Sequence, residues 1–575
     1  MSHEPHGHEH HGGHDHHHGH DHHHAHDGVE GTWADPEADD PLSVSRRAFL
    51  ASAAVVAGAA AGLGSAVAGV GQGVAAASGG GGDRTSNPWS GRSLFLAGDH
   101  HIHTQFSPDA QYEVETQAAQ ARQFGLDWIV ITDHGGTAHQ KFSIDQITPK
   151  IEESRRRHRD LLIFQGLEWN IPGAEHATVF LPPGRSTVDI LRAFEAGYDG
   201  GVLADQGKIS GATAGDGEPF ALEALKYLDN QVRNRRTEIA LMFANHPSRQ
   251  GIDSPHEIRN WRDAAPSVAV GMEGAPGHQA AGIPLAAGGP GRARGYYDRA
   301  PGANSFPAYP AESYRTHGGF DWMTATVGGL WDSLLAEGLP WWVTSTSDSH
   351  QVFGDTRAPG TQDHATTGSR ATPVDTGAPI TTYGDFWPGQ YGSTLVASRS
   401  REYVDVMKGL QSGQVVAVHG RLIDGLDLRV RGSRRGDERG ATLGGRTWVQ
   451  RGGDVELAIT VQLARGPNAS GAVPRLAKVD LISGPVTGPA GDRDVFSAPQ
   501  TTVVETFQVS PRDRRTATFR HTFRNVQQSF YVRLRGSDGN QLDAQGNPLI
   551  DVVADADPWQ DLWFYANPVF VDVVR

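Results

Sequence analysis

Two histidines at alternate positions follow an apolar run close to residue 100. Residues 94–96 are apolar and lead into His101-Ile102-His103, the pattern of a strand that ends in a polar loop. Alternate side chains of a strand lie on one face, so His101 and His103 point the same way. Paired imidazoles are ligands for a divalent cation, and Asp109, a few residues into the loop, can add an oxygen ligand. A single His-x-His is weak evidence, so its weight depends on whether similar strand ends recur.

Strand ends of this kind do recur along the chain. Several apolar runs are followed by an acidic residue or a histidine, and the short run 176–180 opens with a histidine. Helical patterns separate these runs, which favours an α/β fold with parallel strands. The carboxyl ends of parallel barrel strands share one rim, where active sites lie. We therefore expect these side chains to meet. They are His134, Glu168, His176, His246, Asp348 and His350.

In this order the residues resemble the motif set of the PHP (polymerase and histidinol phosphatase) superfamily of metal-dependent phosphoesterases. The resemblance covers residues 93–355, and a ligand-type residue occupies every ligand position. It implies a distorted (β/α)7 barrel over residues 92–425, with two or three Zn, Mn, Fe or Mg ions at its rim. The metal ligands that the resemblance implies are His101, His103, Asp109, His134, Glu168, His176, His246, Asp348 and His350.

The resemblance also implies how the ions share these ligands. Glu168 is expected to bridge two ions. The first of them is also held by His101, His103 and Asp348, and the second is completed by His246.

A third ion is expected at Asp109, His134 and His350, with His176 beside it. Adjacent dications lower the pKa of a bridging water, so that hydroxide is available at neutral pH to attack a phosphate ester. They also neutralise the charge that grows on the phosphoryl oxygens. This mechanism needs no nucleophile from the protein.

Two further residues are candidates for catalysis. Arg249 follows His246 by three positions and can hold a phosphate oxygen in the fork of its guanidinium. The alternative for Arg249 is a surface salt bridge. Asp133 precedes His134 and either orients a ligand imidazole from behind or is only a turn residue.

Three other polar residues lie close to the predicted rim. His139 and His278 occupy loops, where each can donate a proton to the leaving group or simply be solvated. Glu273 ends a strand but matches no ligand position, so a structural hydrogen bond is expected for it.

Two long Gly/Pro-rich stretches, about 275–318 and 351–392, follow strand ends. Long loops in compact domains are usually functional, so we interpret both as a substrate lid over the rim. Aromatic residues in the first stretch either pack the lid down or only anchor the loop to the barrel. They are Tyr296, Tyr297, Phe306 and Tyr309.

The first 78 residues read as a leader. Residues 1–42 form a tail whose stretch 2–27 holds 14 histidines. This composition predicts disorder and weak binding of zinc, nickel or copper, although a solvated tail or an expression tag are alternatives. Residues 43–78 resemble a twin-arginine export signal, with Arg46-Arg47 before an Ala/Gly/Val run. The alternatives are an uncleaved anchor and a chance arginine pair.

The periodicity changes to two over residues 426–575. Short alternating runs split by turns predict an immunoglobulin-like β-sandwich. Aromatic residues near its end are expected to pack it on the barrel, with carbohydrate binding as the alternative. These residues are Trp559, Trp563, Phe564 and Tyr565.

With this β region and an export signal, the chain is most similar to the secreted CehA/McbA-like metallohydrolase branch of the superfamily.

Composition excludes several other functions. The net charge of -16 disfavours nucleic-acid binding, which needs a basic surface. The absence of cysteine excludes disulfides, thiolate metal sites and thiol nucleophiles.

The sequence therefore predicts an exported, multinuclear metal-dependent phosphoesterase. Its expected partners are a small-molecule ester and the twin-arginine export machinery, with no nucleic acid and no stable membrane anchor. The alternatives are a carbamate or carboxylic ester hydrolase with the same centre, and a non-enzymatic extracytoplasmic metal-binding protein.

Overall fold

The computed structural model describes residues 94–432 and 440–574. The tail predicted over residues 1–42 and the signal predicted over 43–78 lie outside this range. Within it, no helix combines the length and the apolar composition that a membrane crossing requires.

Seven strands carry the region in which the rim was predicted. They are hydrogen-bonded in chain order, and all neighbouring pairs are parallel except those made by the fourth strand. This arrangement confirms a mixed α/β fold with a parallel-strand sheet. The strands are β1 (Leu94–Asp99), β2 (Trp128–Ile131), β3 (Leu162–Asn170), β4 (His176–Leu181), β5 (Leu241–Ala244), β6 (Ala269–Ala275) and β7 (Trp342–Ser345).

The fourth strand departs from the expected parallel order. β4 is antiparallel to both β3 and β5. Its connection to β3 spans only residues 171–175, which is too short for the crossover that parallel neighbours need. The amino end of β4 therefore lies beside the carboxyl ends of the other strands, and its first residue, His176, reaches the same rim.

The two ends of the seven-strand series meet at the rim. Beyond their strands, Ile102 and Ser349 form a parallel bridge, and the backbone N–H of His103 donates to the Ser349 carbonyl at 3.2 Å. The buried carboxylate of Asp99 accepts the backbone N–H of Ser347 at 3.1 Å. These bonds fix the residues after β1 against those after β7.

Helices flank the sheet, and one long predicted helix is divided. The apolar pattern at 320–338 predicts one helix, but two short helices form with Gly328 and Gly329 between them. Gly328 has a φ of 76°, a conformation that ends a helix and suits glycine. The helices are α1 (Val114–Gln123), α2 (Ile144–Arg157, after a π-helical turn His139–Ser143), α3 (Thr187–Tyr198), α4 (Gly200–Asp205), α5 (Glu218–Arg233), α6 (Pro255–Ala264), α7 (Trp322–Ala325), α8 (Leu330–Ala336), α9 (His364–Thr367) and α10 (Tyr403–Gln411).

The main core lies between this sheet and its helices. Val130, Phe164 and Leu241 are fully buried in it. Gly98 faces Trp128 across the β1–β2 pair, and a Cβ at Gly98 would overlap the indole ring. Glycine is needed there because the ring packs directly on the backbone of β1, next to the predicted ligands.

The remaining strands extend this sheet and add a second layer. They are β8 (Arg357–Ala358), β9 (Val374–Asp375), β10 (Gly392–Ser398), β11 (Val415–His419), β12 (Ile423–Arg431), β13 (Arg446–Gln450), β14 (Val455–Leu463), β15 (Lys478–Pro485), β16 (Thr502–Gln508), β17 (Thr516–Phe523), β18 (Phe530–Ser537) and β19 (Trp563–Val574). β12, β14 and β17 form a three-stranded sheet, while β16, β15, β18 and β19 continue through β11 and β10 to β1.

The two layers share an apolar core to which Leu428, Ile459 and Val532 belong. Because β19 pairs with β11, hydrogen bonds cross the boundary predicted between residues 425 and 426. That boundary and the immunoglobulin-like class of the second region stay predictions.

The C-terminal aromatic residues contact the first region. The rings of Tyr565 and Phe320 lie 4.2 Å apart, and Trp559 packs edge-on against Phe386 at 5.3 Å. The side chain of Asn567 accepts the backbone N–H of Val343 at 2.9 Å. The last strand of the chain thus supports β7, after which Asp348 and His350 follow.

Candidate metal centre

Glu168 on β3 lies at the centre of the rim, and its carboxylate is buried. Five imidazole nitrogens surround it at 2.9–3.3 Å, two beside Oε2 and three beside Oε1. Six of the predicted ligands are therefore in mutual contact. The five histidines are His101, His103, His134, His176 and His246.

Asp348 forms a second focus of the cluster. Its Oδ1 lies 3.1 Å from Nε2 of His101, 3.2 Å from Nε2 of His103 and 3.4 Å from Nδ1 of His350. Asp348 and Glu168 therefore approach the same two imidazoles, those of His101 and His103, from different directions.

Asp109 completes the set from the loop after β1. Its carboxylate oxygens lie 3.3 Å from Nε2 of His134 and 3.5 Å from Nε2 of His350. Donor atoms of His103, Asp109, His134 and His350 all lie within 4.8 Å of one another. The structure thus brings together all nine residues that the sequence pattern singled out as metal ligands.

Two of these residues have a backbone conformation that residues other than glycine rarely adopt. His246 and Asp348 have φ values of 31° and 46°, in the left-handed region where histidine and aspartate are among the commoner exceptions. Such strain persists where surrounding structure enforces it, and it concentrates at functional sites.

Asp133 lies one hydrogen bond behind the cluster. Its carboxylate accepts the hydroxyl of Ser107 at 3.0 Å and the backbone N–H of Thr104 at 2.6 Å. The Ser107 hydroxyl in turn lies 2.8 Å from Nδ1 of His103. Asp133 therefore positions the His103 imidazole through Ser107.

Glu273 and Asn245 orient His101 directly. Nδ1 of His101 lies 2.6 Å from Oε1 of Glu273, and the other Glu273 oxygen accepts the backbone N–H of His246 at 2.8 Å. The Asn245 amide nitrogen donates to Oε1 of Glu168 at 3.1 Å and lies 3.0 Å from the His101 ring. Sequence reasoning gave Asn245 no role; its place at the end of β5 was the available signal.

Arg249 lies at the edge of the cluster. Its Nη1 is 4.0 Å from Oδ2 of Asp348. Burial opposes the charge on Arg249, but Glu175 and Asp348 outweigh it and raise the pKa of the guanidinium. A permanent cation thus borders the carboxylates of the rim.

The two loop histidines have different surroundings. His139 is buried, and its Nδ1 lies 2.8 Å from Oε1 of Glu195. His278 lies in the cluster, with Nε2 2.8 Å from Oδ2 of Asp348. The sequence treated the two alike because both follow strand ends.

Aromatic residues of the first long loop pack it onto the barrel. Tyr297 donates its hydroxyl to Asp321 at 2.6 Å, and Tyr309 donates to the Asp253 carbonyl at 2.7 Å. The ring of Tyr296 lies 4.7 Å from that of His278. One loop therefore carries both a residue that faces the rim, Tyr296, and residues that anchor the loop, Tyr297 and Tyr309.

Carboxylates of the cluster favour the protonated form of two of its imidazoles. Burial opposes the charge on His101 and His134, but neighbouring carboxylates raise the pKa of both imidazoles. Burial likewise opposes the charge on Glu168 and Asp348, but the adjacent histidines hold the pKa of both carboxyls well below the usual range. A dication can replace these protons.

The hydrogen bonding of the cluster fits such a replacement. Oε2 of Glu168, Oδ1 of Asp348, Oδ1 of Asp109 and Nδ1 of His176 are buried, and none forms a hydrogen bond with any residue that the structure describes. Each of these atoms lies within 3.5 Å of a nitrogen or oxygen atom of another predicted ligand, as ligand atoms do around a common ion. Imidazole and carboxylate donors suit zinc, manganese or iron.

Comparison with known proteins agrees with the position of the cluster. Residues 99–226 match the PHP domain family, and this segment holds the predicted ligands from His101 to His176. Comparison with curated proteins finds no match.

A match among solved structures is a protein from Bacteroides vulgatus ATCC 8482, described as a two-domain protein containing a predicted PHP-like metal-dependent phosphoesterase. The sequences are 16% identical, the match covers 82% of this chain and 98% of the other, and the TM-score is 0.32.

Proposed function

We propose that this chain is an exported, multinuclear metal-dependent hydrolase that acts on a phosphate ester. The observation that carries the proposal is the convergence of nine ligand-type side chains, with Glu168 and Asp348 at two foci of the cluster, in a segment that begins with a PHP domain match. Two or three Zn, Mn, Fe or Mg ions are proposed, held by the nine residues from His101 to His350.

Divalent cations in such a centre acidify a water molecule and neutralise negative charge on a phosphoryl group. The chain itself supplies orientation. Glu273 and Asn245 fix His101, while Asp133 acts through Ser107 on His103. Imidazoles held in this way keep their donor atoms aimed at one point, which supports cation affinity.

Arg249 favours an anionic substrate. Its guanidinium borders Asp348, and its planar fork matches two oxygens of a phosphate. A neutral carbamate or carboxylic ester has no group that needs this cation, so the phosphate ester is preferred over that alternative.

The activity is tested with the metal-loaded protein and three substrates: p-nitrophenyl phosphate, its bis-ester and a naphthyl carbamate. Hydrolysis of either phosphate, abolished by a chelator and restored by Zn²⁺ or Mn²⁺, is the expected result. Turnover of the carbamate alone would show that the substrate class is wrong.

The histidines of residues 2–27 support a second candidate, a non-enzymatic metal-binding protein. Removal of residues 1–88 separates the two functions. A hydrolase keeps its activity without this segment, whereas a protein that works through the tail loses its function.

Export and membership of the CehA/McbA-like branch are further parts of the proposal. Support for export comes from Ser45-Arg46-Arg47 and the Ala/Gly-rich run that follows. Replacement of both arginines by lysine is expected to leave the protein in the cytoplasm, as measured by cell fractionation. Unchanged export of that variant contradicts a twin-arginine route.

A further inference from the structure

His278 lies against the residues that follow β7. It begins the long loop after β6 and has a φ of 52°. The preceding residue, Gly277, touches the backbone at Ser347, and a Cβ there would overlap both the Ser347 carbonyl and Asp348. This close approach of two backbones holds the His278 imidazole beside Asp348.

The side chains form a compact donor set. Nε2 of His278 lies 2.8 Å from Oδ2 of Asp348. Donor atoms of His278, Asp348 and His350 all lie within 4.8 Å of one another, and all three residues are buried. Oδ1 of Asp348 forms no hydrogen bond with any described residue, so this set retains an acceptor aimed at its neighbours.

Asp385 fixes the imidazole from the other side. It lies in the second long loop, and its Oδ1 is 2.5 Å from Nδ1 of His278. Its Oδ2 accepts the backbone N–H groups of His350 and Gln351, each at 2.7 Å. A carboxylate behind a histidine nitrogen is the usual support of a metal-binding imidazole, because it sets the tautomer and aims the opposite nitrogen.

We propose that His278 is a tenth metal ligand, which shares a cation with Asp348 and His350 and is oriented by Asp385. The inference rests on the proposed metal centre and extends it to the two long loops. One loop supplies a ligand and the other supplies the residue that positions it. Folding of both loops over the rim is then coupled to cation binding.

The alternative is a closed ion pair in which His278 only balances two carboxylates. Asp332 is an example of a closed pair, because both of its oxygens accept hydrogen bonds from Arg533, at 2.8 and 2.6 Å. At Asp348 the oxygen Oδ1 is unbonded and faces imidazoles. A cation satisfies this oxygen, whereas a proton on His278 does not reach it.

Anomalous diffraction from crystals of the full chain grown with Zn²⁺ tests the proposal directly. We expect a zinc peak within ~2.0–2.1 Å of Nε2 of His278. If zinc binds beside Glu168 but no zinc lies within bonding distance of His278, then His278 is not a ligand, although the proposed metal centre stands. A map with no zinc at the rim overturns the proposed function itself.

Chelator competition for Zn²⁺ gives a second readout on the full chain. His278→Gln is expected to retain one cation fewer per chain than wild type, and Asp385→Asn to bind it ~10- to 100-fold more weakly. His158→Gln is the matched control, since its side chain is also 11% exposed and pairs with Glu115 at 2.9 Å.

All variants carry the histidine-rich tail, so the zinc that the tail binds cancels when each variant is compared with wild type. Wild-type stoichiometry and affinity in both His278→Gln and Asp385→Asn overturn the proposal. If circular dichroism shows that His278→Gln does not fold, the Asp385→Asn titration and the zinc map of the wild-type protein test the proposal instead.

Discussion

Two regions of the molecule bury charge in different ways. At the rim formed by the strand ends, Glu168 and Asp348 face imidazoles, and one oxygen of each forms no hydrogen bond with a described residue. Between the first region and the C-terminal strands, Asp332 meets Arg533 through two hydrogen bonds and also accepts the hydroxyl of Tyr531 at 3.0 Å.

This difference distinguishes a buried ion pair with a structural role from a cluster of candidate metal ligands. The Asp332 carboxylate has its opposite charge and its donors inside the protein, so it is complete as folded. The rim carboxylates are surrounded by groups that need a proton or a cation to hold them together. Burial alone does not distinguish the two regions; the open acceptors do.

The largest effect is expected at Glu168. Glu168→Gln removes the charge that five imidazoles share, so bound metal should fall sharply and kcat by roughly 10³-fold or more. Metal analysis and ester hydrolysis measure the two losses.

Glu337→Gln is the matched control for Glu168→Gln. Glu337 is also buried, but its oxygens accept Arg259 and Arg262, each at 2.5 Å. This variant should lose stability and keep its metal. Equal metal retention in the two variants would erase the distinction between the regions.

The next largest effect is expected on stability, at the buried Asp332–Arg533 pair. Arg533→Ala leaves the charge of Asp332 buried without its partner, which should lower the free energy of unfolding by about 3–5 kcal/mol. Denaturant unfolding measures this change. The double variant Arg533→Met/Asp332→Leu should recover most of it, since apolar residues can replace a closed pair. A double variant that is less stable than Arg533→Ala would contradict the interpretation that this is a closed structural pair.

A smaller effect is expected at Arg249. Arg249→Gln removes the cation beside Asp348 but no ligand, so kcat/KM for a phosphate ester should fall roughly 10²-fold with bound metal unchanged. The conservative variant Arg249→Lys should recover part of the loss. A fall in metal content that parallels activity would place Arg249 among the supports of the centre instead.

The smallest effect is a pH dependence confined to the rim. Burial opposes the charge on His278, but Asp348 and Asp385 raise its pKa from 6.5 to about 10 in the metal-free protein. This contribution to stability is therefore fully present below pH 6.5 and is lost as the pH rises towards 10. Cations gain affinity as protons leave, so the Tm difference between loaded and metal-free protein should widen from pH 6 to pH 9. A difference that narrows over this range contradicts the prediction.

The sequence predicted well which side chains meet at the rim, because their signal is local. His101 and His103 alternate on one strand, and Glu168, His246 and Asp348 each follow or end an apolar run, so parallel-strand geometry alone sends them to one rim. His176 was harder, since it reaches the rim only because β4 runs against its neighbours.

Asp133 was singled out as a support from the sequence, whereas Asp385, Asn245 and Ser107 were not. Asp385 lies 107 residues from His278 in the chain, in the second long loop and outside its short strands and helix. Asn245 and Ser107 are polar residues in ordinary positions, and only folding places them behind His101 and His103. The pairing of β19 with β11 likewise joins segments that the sequence assigns to different domains.

Metal analysis of the protein without residues 1–88, after dialysis, tests the central claim most directly. The described cluster predicts two or three divalent cations retained per chain, and their loss in Glu168→Gln. A folded protein that retains no stoichiometric cation would contradict the claim that these nine side chains form a metal centre.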